Sequence, residues 1–236
     1  LRRKLLQCIA EAGVTPLQRV ESPAMIPENS AQDCVRAVEA CLKDPPSRPL
    51  DQASDLVVLV RSLEQLQALQ DISDEVPLRA VVADLEHPRE LRQAVAMGRG
   101  CWPDGLWLTG PRIVRPDERW TLEPLLRAAP DGFLVRNADQ LELLKGRAPC
   151  RGDFSLNVAN PLALRWFLEH WGLERVTVSC DLNLQQLLDL SERSPCDRLE
   201  VVLHQHMPLF HMEHCLFCSL LSDGHDHTDC GRPCER

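Results

Sequence analysis

Seven short runs rich in valine and leucine punctuate this chain, and stretches of helical periodicity separate them. The runs are Leu56–Val60, Leu78–Leu85, Gly105–Thr109, Gly132–Arg136, Asp153–Val158, Arg175–Cys180 and Leu199–His204. Their length and composition suit strands covered on both faces. Between them, Leu63, Leu66, Leu69 and Ile72 recur on one helical stripe, and a second helix starts at Pro88 and carries Leu91 and Val95. Asn160 followed by Pro161 predicts the cap and first residue of a third helix, closed by Gly172. Asp181 or Asn183 caps a fourth, with Leu184, Leu187 and Leu188 facing inward. Strand and helix alternating at roughly 20–25-residue spacing calls for parallel strands joined by right-handed crossovers. Seven or so such units predict an α/β fold, a TIM-like (β/α) barrel that is incomplete in the length present. No G-x-G-x-x-G or G-x-x-x-x-G-K-S/T phosphate loop supports a nucleotide-binding open sheet instead.

Three segments are expected. Residues 1–49 read as the tail of a preceding domain, helical at both ends, with a loop at Val20–Pro27 and a stiff proline-rich linker at Asp44–Pro49. Residues 50–208 form the barrel, and residues 209–236 a Cys/His-rich tail. The chain starts at Leu1 and stops two residues after Cys234, and is expected to be a piece of a longer protein. No apolar run approaches the roughly 18 residues of a membrane span. Leu1-Arg-Arg-Lys-Leu-Leu is basic but leads into no apolar signal-peptide core. The net charge of −9, without a basic block, argues against strong non-specific nucleic-acid affinity and still permits a local basic patch. Of eleven cysteines, seven (Cys8, Cys34, Cys41, Cys101, Cys150, Cys180, Cys196) are scattered. Scattered buried thiols fit a reducing, cytoplasmic setting.

The other four are not scattered. Cys215, Cys218, Cys230 and Cys234 follow a C-x2-C-x11-C-x3-C spacing, with His204, His206, His211 and His214 just ahead and His225 and His227 in the loop. Two close pairs of soft thiolates around a medium loop point to zinc or an iron–sulfur cluster. A disulfide-stapled tail is the alternative, and the scattered thiols weigh against it. His225 and His227 sit in a polar loop, where solvent exposure is expected.

In a parallel barrel, chemistry sits where strands end. Those ends carry Asp84 and Glu86; Thr109 with Arg112; Arg136 and Asn137; Asp153, Ser155, Asn157 and Asn160; Ser179, Cys180 and Asp181; and His204, Gln205 and His206. Singly, Asn137, Asn160 and Asp181 also serve as helix caps. His204 and His206 share one face of a strand. They are acid/base or anion-binding groups if that face meets the mouth, and surface groups or supports for a metal ligand if it does not. Arg112, Arg115 and Arg119 flank Trp120, an arrangement suited either to RNA phosphates and bases or to a solvated face. Trp102, Trp107, Trp166 and Trp171 read as packing residues.

Four segments together resemble one family. They are Gly152-Asp-Phe-Ser-Leu-Asn157-Val-Ala-Asn160, Arg175-Val-Thr-Val-Ser-Cys-Asp181-Leu, His204 through Cys218, and Cys230-Gly-Arg-Pro-Cys234-Glu. With Leu134-Val-Arg-Asn137, they are similar to peptidase family U32, the collagenase-like proteases. Gly13-Val-Thr-Pro16 and Ile26-Pro-Glu-Asn-Ser30 resemble the end of the extra domain of long-form members, although Ala31-Gln-Asp-Cys-Val-Arg36 replaces their arginine-rich helix.

The resemblance implies a (β/α) barrel carrying a 4Fe-4S cluster, with Cys215, Cys218, Cys230 and Cys234 as ligands, or the first three with a fourth beyond Arg236. Zinc on the same thiolates is the alternative metal. It further implies hydroxylation of an RNA base, of the ribosomal RNA cytidine type, with prephenate as a co-substrate, RNA as partner and an accessory protein in support. The family name implies a peptide substrate and hydrolysis instead, and a zinc-stabilised binding scaffold is a third reading. No G-x-S-x-G elbow or H-E-x-x-H helix supports proteolysis, since His211 and His214 are spaced i, i+3. Ser155 or Cys180 with His206 would have to supply a nucleophile and base. On the hydroxylase reading Asp153, Asn157 and His206 are the candidate catalytic groups. Arg136, Asn137, Asn160, His204 and Asp181 would line the substrate mouth, with Arg136 or a neighbouring arginine as the fork for a carboxylate.

Overall fold

The computed structural model describes residue 36 and residues 55–73, 75–115, 117–206, 208, 215–225 and 229–235. Apart from Arg36, which is helical, the expectations for residues 1–49 lie outside the described residues, as do His211, His214 and His227. The chain divides into two compact units, Leu1–Val201 and Val202–Arg236.

The first unit is built on one seven-stranded sheet. Its strands are β1 (Leu56–Val60), β2 (Leu78–Ala83), β3 (Leu106–Thr109), β4 (Gly132–Val135), β5 (Cys150–Gly152), β6 (Val176–Thr177) and β7 (Leu199–Glu200). They pair in chain order and every pair is parallel. Helices fill the crossovers: α1 (Leu63–Asp71), α2 (Leu91–Gly98), α3 (Glu123–Ala128), α4 (Ala138–Leu144), α5 (Pro161–Arg165) and α6 (Leu184–Glu192). The predicted alternation is therefore an α/β fold whose parallel sheet curls as part of a barrel does. No helix among the described residues is long and apolar enough to cross a membrane.

The period-two alternation of each strand sorts its side chains. Val81, Ala83, Leu106, Leu108, Phe133, Val135, Cys150 and Val176 pack outward with helix residues such as Leu66, Ala94, Leu125, Leu141 and Leu164. The opposite positions, Ala80, Val82, Trp107 and Leu134, form a smaller inner cluster with Val57. Polar residues continue that inner register above and below the cluster. On the lower side Arg151, only 2% exposed at its side chain, donates to Asp104 at 2.6 Å and Glu200 at 3.3 Å and lies 4.2 Å over the Trp107 ring. Arg175, before β6, pairs with Asp55, before β1, at 3.1 Å. Adjacent strands stand about 4.8 Å apart, so β1 and β6 would be about 24 Å apart in a flat sheet, and the Arg175–Asp55 pair requires the sheet to curve.

Four local expectations are corrected. The fifth strand is Cys150–Gly152, not Asp153–Val158, because the Asp153 carboxylate accepts from Ser155 N and turns the chain into a 3-10 turn, Phe154–Leu156. That turn ends at Asn157 with φ 55, and Val158 rejoins the sheet by a single bridge to Val178. The seventh strand stops at Glu200, so His204 and His206 do not lie on a strand. On α6 the cap is Asn183, with a reciprocal Gln186 bond, and the buried residue is Leu190. Leu184 and Leu188 are exposed there, as is Trp166, which stacks on His170 at 4.1 Å instead of entering the core.

Candidate functional site

Where β2, β3, β4, β5 and β6 run out, the next inner positions are Asp84, Thr109, Arg136, Asp153 and Ser179. The first, third and fourth are joined by charge. Arg136 is buried and grips Asp84 with two parallel bonds, Nη1 to Oδ1 at 3.0 Å and Nη2 to Oδ2 at 2.7 Å. The Nη1 group also donates to the Gly110 carbonyl at 3.0 Å. Such a fork is the strongest geometry available to an arginine and a carboxylate. Asp84 Oδ2 lies 3.8 Å from Arg61, just past β1. Asp153 Oδ2 lies 3.8 Å from Arg136 Nε and accepts from Arg112 Nη1 at 3.2 Å. The result is an alternating row, Arg61–Asp84–Arg136–Asp153–Arg112, with a cation at each end.

Burial and repulsion from Arg136 hold the Arg112 guanidinium below its ordinary value, opposed by Asp153 and Asp84. Its flat face lies 4.9 Å from the Phe154 ring centre. The loop carrying Arg112 is fixed from beneath. Asn137 caps α4 through its Oδ1 and turns its Nδ2 to the carbonyls of Pro111 and Arg112. Gln140, fully buried, accepts from Arg136 N at 2.7 Å and donates to the Pro111 carbonyl at 2.7 Å.

The other expected residues fall into separate roles. The Ser155 hydroxyl is 2.8 Å from Asp153 Oδ2 and 2.9 Å from the Arg136 carbonyl, so its single proton has two acceptors. Asn157 accepts from Ser179 Oγ at 2.7 Å, and that oxygen takes a bond from Asp181 N. Asn160 caps α5 through Ala163 N. Cys180 and Asp181 are exposed. Between the loop that carries Arg112 and α3, a 3-10 turn, Arg119–Leu122, carries Trp120, 66% exposed, and Arg119, which pairs with Asp139 at 3.3 Å. Arg61 and Gln140 were not among the expected site residues. Their signal lies in position, Arg61 immediately after a strand and Gln140 three residues after a capping asparagine.

The second unit holds the cysteine segment. Cys215 caps α7 (Leu216–Leu221) by accepting from Cys218 N at 3.4 Å. Cys218 is buried and donates to the Gly224 carbonyl at 3.3 Å. A Cβ at Gly224 would stand 2.6 Å from Cys230 Cα, so only glycine lets the loop close on Cys230. Burial first, then the thiols of Cys230 and Cys215 and the Asp229 carboxylate, push the Cys218 thiol above its ordinary value. Cys215 and Cys230 thus each act on Cys218, and Cys234 follows on a 3-10 turn, Pro233–Glu235. Cys215, Cys218, Cys230 and Cys234 are free thiols, and no three His, Cys, Asp or Glu side chains among the described residues stand in metal-holding geometry. The chemistry of the donor set still suits a thiophilic centre: soft ligands, with Cys215 and Cys218 on one short helix turn and Cys230 against Gly224. His204 and His206 are exposed, their rings meeting edge-on at 6.0 Å. His225, also exposed, bonds Asp229 through its backbone.

A comparison with protein-family models, curated proteins and solved structures returns no match to this chain.

Proposed function

We propose that this chain is a U32-type (β/α) barrel protein that acts, in the cytoplasm, on an RNA base by iron–sulfur-dependent hydroxylation. The observation that carries the reading is the C-x2-C-x11-C-x3-C spacing of Cys215, Cys218, Cys230 and Cys234, in a segment that resembles the family's cluster motif and where Cys215 caps the turn that holds the buried Cys218. Cys215, Cys218 and Cys230 would hold the cluster with Cys234 or a residue beyond Arg236. A bound cluster supplies one-electron redox chemistry, which no protein side chain in the mouth provides. The mouth residues do the rest. Asn157 and Asp153, the latter ion-paired with Arg112, would present oxygen acceptors to a base edge. Arg136 keeps Asp84 in place, and Gln140 and Asn137 set the height of the Arg112 loop. Trp120, exposed on the 3-10 turn after that loop, offers a stacking face to an unpaired base. Prephenate would enter as a carboxylate-bearing co-substrate.

Metal and inorganic-sulfide content of anaerobically purified protein tests this reading. Iron with sulfide and a broad visible absorbance, lost on Cys215→Ala, is the expected result. Zinc alone would leave a zinc-stabilised scaffold, and no metal would remove the hydroxylase reading altogether.

A hydrolase is the second reading, carried by the 2.8 Å contact of Ser155 with Asp153. It is the weaker one, because the Asp153 oxygen that meets Ser155 is already engaged by Arg112 and lies 3.8 Å from Arg136, and the Ser155 hydroxyl also meets the Arg136 carbonyl at 2.9 Å. Peptide cleavage abolished by Ser155→Ala would restore it.

A further inference from the structure

The row of charges at the mouth is unbalanced. It holds three guanidiniums, Arg61, Arg112 and Arg136, against two carboxylates, Asp84 and Asp153, three minus two leaving one positive charge in excess. That excess stands out in a chain of net charge −9. We propose that Arg112 is an oxyanion-binding residue, which receives the carboxylate or phosphate of a ligand at the C-terminal mouth of the sheet.

Arg136 cannot do this work. Its two terminal nitrogens are taken by Asp84 and the Gly110 carbonyl, and its side chain is 3% exposed. Arg112 differs on each count. Its side chain is 26% exposed, and among the described residues it donates one hydrogen bond, to Asp153. A guanidinium carries five N–H donors in a planar fork that matches a carboxylate or phosphate edge. The loop beneath it is already fixed by Asn137 and Gln140, so little ordering remains to oppose binding.

Turning Arg112 toward a ligand would strand Asp153 unless another donor were ready. One is. Arg136 Nε is buried without a hydrogen-bond partner, 3.8 Å from the same Asp153 oxygen. Buried donors are rarely left unmade, and this one sits where Asp153 moves if Arg112 lets go. Arg112 thus exchanges Asp153 for the ligand while Asp153 exchanges Arg112 for Arg136. The exchange leaves no charge unpaired. The site does not depend on a cluster in the cysteine segment, so it can stand or fall separately from the hydroxylase reading.

The test is calorimetric titration of the 236-residue chain at low ionic strength with succinate and, separately, with inorganic phosphate. Wild type should bind at least one. Arg112→Gln should weaken that binding about tenfold or more, the loss expected for a charge-assisted fork. Arg112→Lys keeps the charge facing Asp153 but not the fork, and should fall between. Arg119→Gln, an exposed arginine on the 3-10 turn after that loop, should bind as wild type does. Binding of succinate alone identifies an organic acid, and of phosphate alone a phosphoester such as a nucleic-acid backbone. Binding of neither anion overturns the proposal, as does unchanged affinity in Arg112→Gln. If Arg112→Gln fails to fold, Arg112→Lys decides: wild-type affinity there overturns the fork, and a loss supports it.

Discussion

Arg151 is the side chain whose removal this fold should feel most, and the loss should depend on pH in a direction fixed by its partners. The guanidinium is enclosed between Asp104, Glu200 and the Trp107 ring. Removing one member of a buried ion pair costs about 3–5 kcal/mol, because a charge is left without compensation. Arg151→Met keeps the aliphatic stem over Trp107, so most of the packing survives. Asp104 also retains Arg79 at 2.8 Å. The orphan is therefore Glu200, and the expected loss sits at the lower end, about 3 kcal/mol at neutral pH.

Glu200 can relieve that loss by taking a proton. Burial already raises its pKa, against the pull of Arg151, Arg175 and Thr177 and with the push of Asp104. Without Arg151 the folded value climbs further. Between the unfolded value of about 4.5 and the raised folded value, the native state holds a proton that the unfolded chain has released. Stability of the variant therefore falls as pH rises through that window. Below it, Glu200 is neutral in both states, and only the weaker hold on Asp104 remains, about 1 kcal/mol. Urea unfolding followed by far-UV circular dichroism at about pH 3.5 and about pH 8 reads both numbers. A neutral-pH loss of about 3 kcal/mol corresponds to about 6–12 °C in Tm for a chain of this size. Adding Glu200→Gln should restore most of the neutral-pH loss. An equal loss at both pH values, or no rescue by the second substitution, would show that Glu200 is not the stranded charge.

Other substitutions probe the remaining elements. Gly132→Ala places a Cβ 2.5 Å from the Trp107 ring and should cost about 1–3 kcal/mol in urea unfolding, with a change under about 0.5 refuting the close approach. Asn183→Ala removes a reciprocal cap and should cost about 1 kcal/mol, read the same way. Leu188→Ser should stay within about 0.5 kcal/mol while Leu190→Ala costs about 2–5, a contrast that reverses if α6 buries the face the sequence pattern favours.

The strand–helix alternation was legible because parallel strands covered on both faces leave continuous apolar runs, and six of the seven overlap the strands observed. The fifth failed for a physical reason. Phe154, Leu156 and Val158 alternate as a strand would, but Asp153 bonds the backbone of Ser155 and wins locally. That error hid Arg151, which lay outside the predicted strand and so outside the inner register. Helix α6 misled differently. Its leucines mark an apolar stripe, but periodicity states only that a face exists, not that a neighbour covers it. Asp153 and Arg136 were found as strand ends, whereas the fork on Asp84 was not, because it joins β4 to β2 across a curvature that no single-strand pattern encodes.

That curvature links fold and site. A parallel sheet of seven strands in chain order could lie open, with its polar inner positions in water. An arginine that reaches across a strand draws its partner strands together on that face, and here two buried arginines do so, at opposite ends of the inner cluster. Pairing them costs desolvation that apolar residues would avoid, so their value lies in selecting the curled arrangement over a flat one. The two layers are not equivalent. In the lower one, Arg151 is held by two carboxylates and a ring, and Asp104 by two arginines, so every charge is answered within the fold. In the upper one the row ends in Arg61, 62% exposed, and Arg112, each with a single carboxylate for partner. A layer that closes on itself can only stabilise. A layer that ends in partly answered cations at the strand C-termini is built to be completed by something that binds.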